Sequence, residues 1–224
     1  MDVKNSCYKN QGIHVITAIF TVEKGIPKVL LIKRKNEPFY GEWCLTGGAL
    51  QNNEDLIDGA KREIYEKSGI DNIDIYEFKA FGKLNRSPVM RMVAIGYIGV
   101  IDLNRVNILK ETTKTSNADW FSFDKIPSLA YDHEEILRYA IEFLKQKIIE
   151  SNILSSLFPN NFTMPELQKV YEAILNKKFD RRNFRKKILS LNIVEDTNLT
   201  TKFEGKKPAK LYKFKKNIEN KSVF

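Results

Sequence analysis

The chain has 224 residues, room for a domain of average size and a second, smaller one with its own core. Its 37 Lys and Arg exceed its 28 Asp and Glu by a formal +9, no apolar run reaches the ~18 residues of a membrane helix, and the opening MDVKNSCYKN has no signal-peptide core. The expectation is a cytoplasmic chain, neither membrane-spanning nor secreted; Cys7 and Cys44 are too few and too far apart for a zinc site and suit a reducing compartment.

Residues 13–22 and 29–34 are apolar, β-rich runs joined by Glu-Lys-Gly-Ile-Pro, which reads as strand, turn, strand. His14 lies inside the first run and reads as structural. Residues 39–45 (FYGEWCL) bring aromatics to a loop, with Trp43 expected in the core on its strand. Arg34 is a candidate for contacting phosphate or ribose, and Tyr40 for stacking on a base.

Residues 48–70 read GALQNNEDLIDGAKREIYEKSGI. Residues 54–67 lack proline and space Leu56, Ile57, Ala60 and Ile64 at helical period, and Asn52 or Asn53 can cap the start. On that helix Glu63 and Glu66 lie side by side, where two anions repel unless a hard cation such as Mg2+ sits between them. Position 67 shares the face and is a lysine. The preceding Gly47 and Gly48 allow a sharp bend that offers carbonyls and amides to a ligand, so loop and helix make a diphosphate cradle.

This run resembles the Nudix box of hydrolases that cleave nucleoside diphosphates linked to another group. Gly48, Glu54, Arg62, Glu63, Ile64, Glu66, Gly69 and Ile70 match it, and Lys67 stands where the family has glutamate. The resemblance implies that Arg62 pairs with a helix carboxylate, that Glu63 and Glu66 are the catalytic acids, and that they hold Mg2+ with the Gly47 carbonyl and the residue at 67. An ammonium in place of that carboxylate weakens Mg2+ binding and weakens or abolishes hydrolysis. Three roles remain open here. Lys67 meets a diphosphate as a point charge, or forms an i,i+4 bridge with Glu63 worth about 0.3 kcal/mol, or a downstream acid such as Glu111 completes the metal site.

Runs at 73–81, 92–101 and 119–123 bring the strand count to five or six, and the segment between the first two adds Arg86 and Arg91 as ligand-binding candidates. Residues 133–149 place Ile136, Tyr139, Ala140, Phe143 and Leu144 on one helix face, with His133 as an orienting residue at its start. An α/β/α sandwich around a mixed sheet follows.

The charge divides near Ser151. Residues 1–150 hold 21 basic and 21 acidic side chains, whereas 151–224 hold 16 and 7, so the whole net charge belongs to the second part. Such segregation points to a polyanion. Thr163 and Glu166 form a capping box that opens a helix through Leu167, Val170, Tyr171 and Ile174; after a break at 176–179, Asp180 caps a basic helix with Phe184 and Ile188 on its inner side. Strands at 193–199 and 210–214 flank a basic tip. This outlines a winged helix, with Arg181, Arg182, Asn183, Arg185, Lys186 and Lys187 offered to the major groove of double-stranded DNA and Lys206, Lys207 and Lys210 to backbone phosphate.

The chain as a whole resembles Nudix-related transcriptional regulators, which join a degenerate Nudix sensor (here residues 1–150) to a C-terminal winged helix (151–224). The residues 167–175 and 180–189, the Phe81-Gly82…Arg86-x-Pro88…Arg91 run and Tyr131-Asp-His-Glu134 carry the likeness. It implies a homodimeric repressor responsive to ADP-ribose or, in pentose-linked members, to a sugar such as arabinose; the architecture adds a palindromic operator, since a winged helix of this size needs a dimer to read one. The second hypothesis is an ADP-ribose pyrophosphatase, since Glu54, Arg62, Glu63 and Glu66 are kept.

Overall fold

The computed structural model describes residues 11–158, 160–201 and 208–215. Strands β1 (Gln11–Glu23) and β2 (Ile26–Arg34) form the expected hairpin, whose turn needs the left-handed backbone of Lys24 and Gly25. In chain order β3 (Trp43–Cys44), β4 (Thr46–Ala49), helix α1 (Leu56–Ser68), β5 (Ile75–Phe81), β6 (Arg91–Val100), β7 (Thr115–Ser122) and helix α2 (His133–Glu150) follow. The seven strands make one mixed sheet in the path β3-β2-β1-β6-β5, with β4 added to β1 and β7 to β2; β1 and β6 run parallel.

Alternation along the strands builds the sandwich. On β1, Val15 and Ile19 face α1 with Leu30 and Ile32 of β2, while Ile16, Ala18 and Phe20 face α2 with Val29 and Leu31. Each side chain set buries one helix stripe: Ala60 and Ile64 of α1 on one side, Ile136, Leu137, Ala140, Leu144 and Ile148 of α2 on the other.

The structure departs from the sequence expectations at the box. Helix α1 begins at Leu56 with Asp55 at its N-cap, not with Asn52 or Asn53, because Glu54 is already engaged: it accepts the Gln51 N–H at 2.8 Å and binds Arg62. Gly47 and Gly48 lie in β4 instead of a free bend, opposite Ile16 and Val15 of β1. Their missing side chains serve close approach. A Cβ on Gly47 would lie 2.3 Å from the Val15 carbonyl oxygen, and one on Gly48 the same distance from the Glu63 carboxyl carbon. Strand β7 also starts earlier than expected, since polar Thr115 pairs opposite Arg34.

The second domain is a winged helix. Helix α3 (Met164–Leu175) carries the predicted capping box, with Glu166 accepting from the Thr163 N–H at 2.7 Å, and ends at left-handed Asn176. Helix α4 (Arg181–Ser190) is capped by Asp180, which accepts the Asn183 N–H at 2.9 Å. Strands β8 (Phe162–Thr163), β9 (Val194–Thr200) and β10 (Lys210–Phe214) form the small sheet β8-β10-β9; the two-residue β8 is absent from the sequence expectation, because nothing in so short a run has a period to read. Leu167, Val170 and Tyr171 of α3 and Phe184 and Ile188 of α4 belong to the same apolar cluster as α2 and the sheet face beneath it, so the domains share one core. Lys206, Lys207, Cys7 and the lysine-rich stretch beyond 215 lie outside the described residues. Among the described residues no helix is long and apolar enough to cross a membrane.

The fit of Gly48 against Glu63 can be measured. The added methyl of Gly48→Ala meets a carboxylate that is only 3 % exposed and held by neighbouring cations, so a loss of about 1–3 kcal/mol is expected from urea unfolding. An unchanged midpoint would mean that Glu63 swings away freely.

Candidate functional site

The face of α1 that faces β4 carries a closed ion cluster. The Arg62 guanidinium donates to Glu54 through Nε (2.8 Å) and Nη2 (2.7 Å), to Glu63 at 2.6 Å, to Glu66 at 3.2 Å and to the Ala49 carbonyl at 3.1 Å. Lys67 donates to the Gly47 carbonyl, and its Nζ lies 3.3 Å from Glu63 Oε2, which makes no hydrogen bond of its own. Lys114, on the chain entering β7, donates to Glu66 and lies 3.4 Å from Glu63 Oε1. Three carboxylates therefore meet three cations. Burial raises the cost of the Glu63 carboxylate, yet Lys67, Arg62 and Lys114 outweigh it and hold its pKa below the usual range. Glu54 is held at about 2, chiefly by its hydrogen bond from Arg62.

This arrangement does not fit the Mg2+ that the box implies. The Gly47 carbonyl, Glu63 and Glu66 each already face an ammonium, and the oxygen of Glu63 without a hydrogen bond faces one too. A divalent ion about 4 Å from an ammonium is repelled by roughly 8 kcal/mol at an effective dielectric near 20. Among the described residues no group of three His, Cys, Asp or Glu is placed to hold a metal. Glu111 does not complete the site: it is exposed and paired with Lys35 at 2.8 Å. Lys114, three positions on and part of no motif, reaches the cluster instead.

Beside the cluster lies a cavity of about 310 Å3, within the range of small-molecule sites. Lys67, Gly47 and Gly48 form one wall, Arg34 and Arg86 reach it from β2 and from the segment before β6, and His14, Tyr131 and His133 complete it. Arg86 is bidentate to Asp132 at 2.9 and 2.8 Å with its side chain only 2 % exposed. Arg34 donates to the Pro38 and Asn36 carbonyls and its guanidinium stands 5.1 Å over the Tyr131 ring. Tyr131 also packs against Phe39 and His133. Two candidates fall elsewhere. Tyr40 is 66 % exposed and outside the cavity wall, and Arg91 donates to the Lys83 carbonyl at 3.1 Å, closing the base of the segment that carries Arg86. The aromatic of the wall is Tyr131, whose neighbours Asp132 and His133 the motif in the sequence already grouped.

Both histidines are neutral; His133 is buried and His14 half-buried. His133 starts α2 and its Nδ1 accepts the Leu45 N–H at 3.1 Å, joining α2 to the β3–β4 junction. Burial, then Arg86 and Lys67, lower its pKa to about 3. For His14, burial followed by the same two cations gives about 4, and the residue lines the cavity in addition to its place in β1.

In the winged helix Arg181, Arg182, Asn183, Arg185 and Lys186 are exposed on α4, and Lys187 is half-buried. Arg185 donates to the Tyr212 hydroxyl at 3.2 Å, and Lys210 is paired with Asp196 at 2.8 Å, which offsets part of its charge. A groove of about 500 Å3 runs between the start of α3, α4 and β10, lined by Arg181, Arg182, Arg185 and Lys210.

Two family models match the chain, a NUDIX domain over residues 12–142 and an NrtR DNA-binding winged helix domain over 154–214. The ADPR responsive transcriptional repressor NtrR of Acinetobacter baylyi is 31 % identical over 215 residues, 94 % of this chain and 85 % of the relative. An ADP-ribose pyrophosphatase of Methanocaldococcus jannaschii is 30 % identical over 126 residues, 56 % of this chain and 73 % of that protein. Shewanella oneidensis NrtR is similar with a TM-score of 0.79 at 28 % identity, covering 92 % of this chain and 94 % of that one. Its complex with a 27mer DNA gives 0.75, covering 91 % and 93 %. Its NUDIX domain with ADP ribose gives 0.57 at 26 % identity, covering 64 % of this chain and 94 % of that domain.

The neutral state of His133 sets a pH dependence. Its pKa is about 3 in the folded chain against 6.5 unfolded, so the unfolded state binds the extra proton, and stability is full above pH ~6.5 and falls as the pH drops toward 3. Between pH 7 and 5 this one residue costs on the order of 2 kcal/mol, and His133→Gln, which can still accept from Leu45, removes that part of the slope. Urea midpoints across this range test it; equal slopes for both proteins would show that His133 is not buried neutral.

Proposed function

Because the chain belongs to the Nudix family, in the branch whose members end in an NrtR winged helix, we propose that it is a DNA-binding transcriptional repressor whose Nudix domain senses ADP-ribose. The observation that carries this reading is the pairing of a cationic cavity, whose neighbouring acids are occupied by the chain's own lysines, with an exposed basic helix on a shared core. A hydrolase needs those acids free for metal; a sensor needs only to hold the ligand. Arg34, Arg86 and Lys67 and the Gly47–Gly48 backbone would receive the diphosphate, with Tyr131 as the flat wall. On the other domain Arg181, Arg182, Asn183, Arg185, Lys186 and Lys187 would read the major groove, with Lys206, Lys207 and Lys210 on phosphate. A winged helix reads one half-site, so a cytoplasmic homodimer on a palindromic operator is the matching assembly. ADP-ribose then weakens DNA binding, and by thermodynamic reciprocity DNA weakens ADP-ribose binding by the same factor.

Fluorescence anisotropy with a duplex from upstream of the gene, at physiological salt, separates the two halves of the proposal. Arg182→Ala with Arg185→Ala is expected to abolish sequence-specific binding and to leave ADP-ribose affinity unchanged. Arg34→Ala is expected to lower ADP-ribose affinity about tenfold or more, the worth of one charge-assisted contact, and to leave DNA binding intact. Absence of specific DNA binding together with turnover of ADP-ribose would favour the pyrophosphatase instead.

A further inference from the structure

The geometry points to a cavity that binds an anionic nucleotide without metal, because Lys67 and Lys114 occupy the positions and balance the charges that a divalent ion would. The nature of the ligand rests on the sensor reading above; the exclusion of metal does not.

Two elements supply these lysines. Lys67 sits on α1, within reach of the Gly47 carbonyl and Glu63, and Lys114 comes from the chain before β7 to Glu66 and Glu63. With Arg62 they match Glu54, Glu63 and Glu66 one for one, so the cluster has no surplus negative charge with which to draw a cation. Both ammonium groups are tethered to the fold, and a free ion must displace them from the oxygens they face. Lys67 has a further task. Of its three N–H donors one is used on Gly47 and one is directed at Glu63, and the side chain forms part of the cavity wall, which leaves a donor for a phosphate oxygen. The charge that a catalytic site borrows from solution is here built into the chain. Lys67→Glu by itself is therefore not a restoration, since Lys114 would remain across Glu63 and Glu66.

The test uses the full chain and Mn2+ alone, followed by electron paramagnetic resonance, beside calorimetry of ADP-ribose in EDTA and in Mg2+. The wild type is expected to show no saturable Mn2+ site and the same ADP-ribose affinity within twofold in both buffers. Lys67→Glu with Lys114→Ala is expected to gain one Mn2+ site at least tenfold tighter than anything in the wild type. Should that variant not fold by circular dichroism, Lys67→Gln with Lys114→Gln removes the same two charges and carries the same expectation. Stoichiometric Mn2+ binding by the wild type, loss of ADP-ribose binding in EDTA, or a folded double variant that gains no Mn2+ site would each overturn the inference. If ADP-ribose binds in neither buffer, the sensor reading falls, and the Mn2+ titrations alone decide the role of the lysines.

Discussion

The joint between β4 and α1 rests on the Arg62 guanidinium. Its contacts to Glu54, Glu63, Glu66 and the Ala49 carbonyl tie the segment before the helix, the helix itself and the strand end to one planar group. A nearly buried carboxylate such as Glu63 is tolerable only because this cation and two ammoniums surround it; the removal of any one partner leaves an uncompensated charge, which costs more than the pair contributes. Gly48 makes the arrangement sterically feasible, since any side chain there would fill the space of the Glu63 carboxylate. The cavity inherits its shape from this joint, because Gly47, Gly48 and Lys67 are at once members of the cluster and part of the wall.

The opposite wall is fixed from the other face of the sandwich. Asp132 stands at the N-cap of α2 but makes no cap hydrogen bond, its carboxylate being given over to Arg86. His133, the next residue, holds the Leu45 amide. The first turn of α2 is thus spent on the cavity, while its apolar stripe from Ile136 to Ile148 packs in the cluster that also contains Leu167, Tyr171 and Phe184. One helix touches both the wall of the cavity and the core beneath α4. A contact that shifts Arg86 or His133 acts on the same helix that seats the winged domain.

Much of this was legible from residue pattern. The sandwich, the hairpin, the amphipathic α2, the capping box at Thr163 and the basic α4 follow from local periodicity and capping, which depend on neighbours in sequence. What could not be read is what depends on distance in the fold. Lys114 belongs to no motif, and its role exists only because β7 pairs with β2 and brings the preceding residues over α1. Glu111 and Tyr40 had the right chemistry in the right neighbourhood, yet one is held by Lys35 and the other points to solvent. The two-residue strands β3 and β8 and the glycine strand β4 carry no hydrophobic pattern of their own; they are strands because a longer neighbour, β1, β2 or β10, offers them hydrogen bonds.

A nearly intact motif is weak evidence for catalysis when its residues also hold the fold together. Glu54 and Arg62 fasten the loop to the helix, Gly69 ends the helix in a left-handed turn with its N–H on the Tyr65 carbonyl, and Gly48 gives Glu63 its space. None of these duties requires metal, so each is served whether or not a metal binds. Position 67 does not fasten loop to helix; its duty is one of charge, set by its place beside Glu63 and the Gly47 carbonyl. A carboxylate there adds to an excess of negative charge that a metal must neutralise; an ammonium there neutralises it from within. The architecture around the site is compatible with either residue; what position 67 decides, together with Lys114, is whether the charge of Glu54, Glu63 and Glu66 is balanced from within the chain.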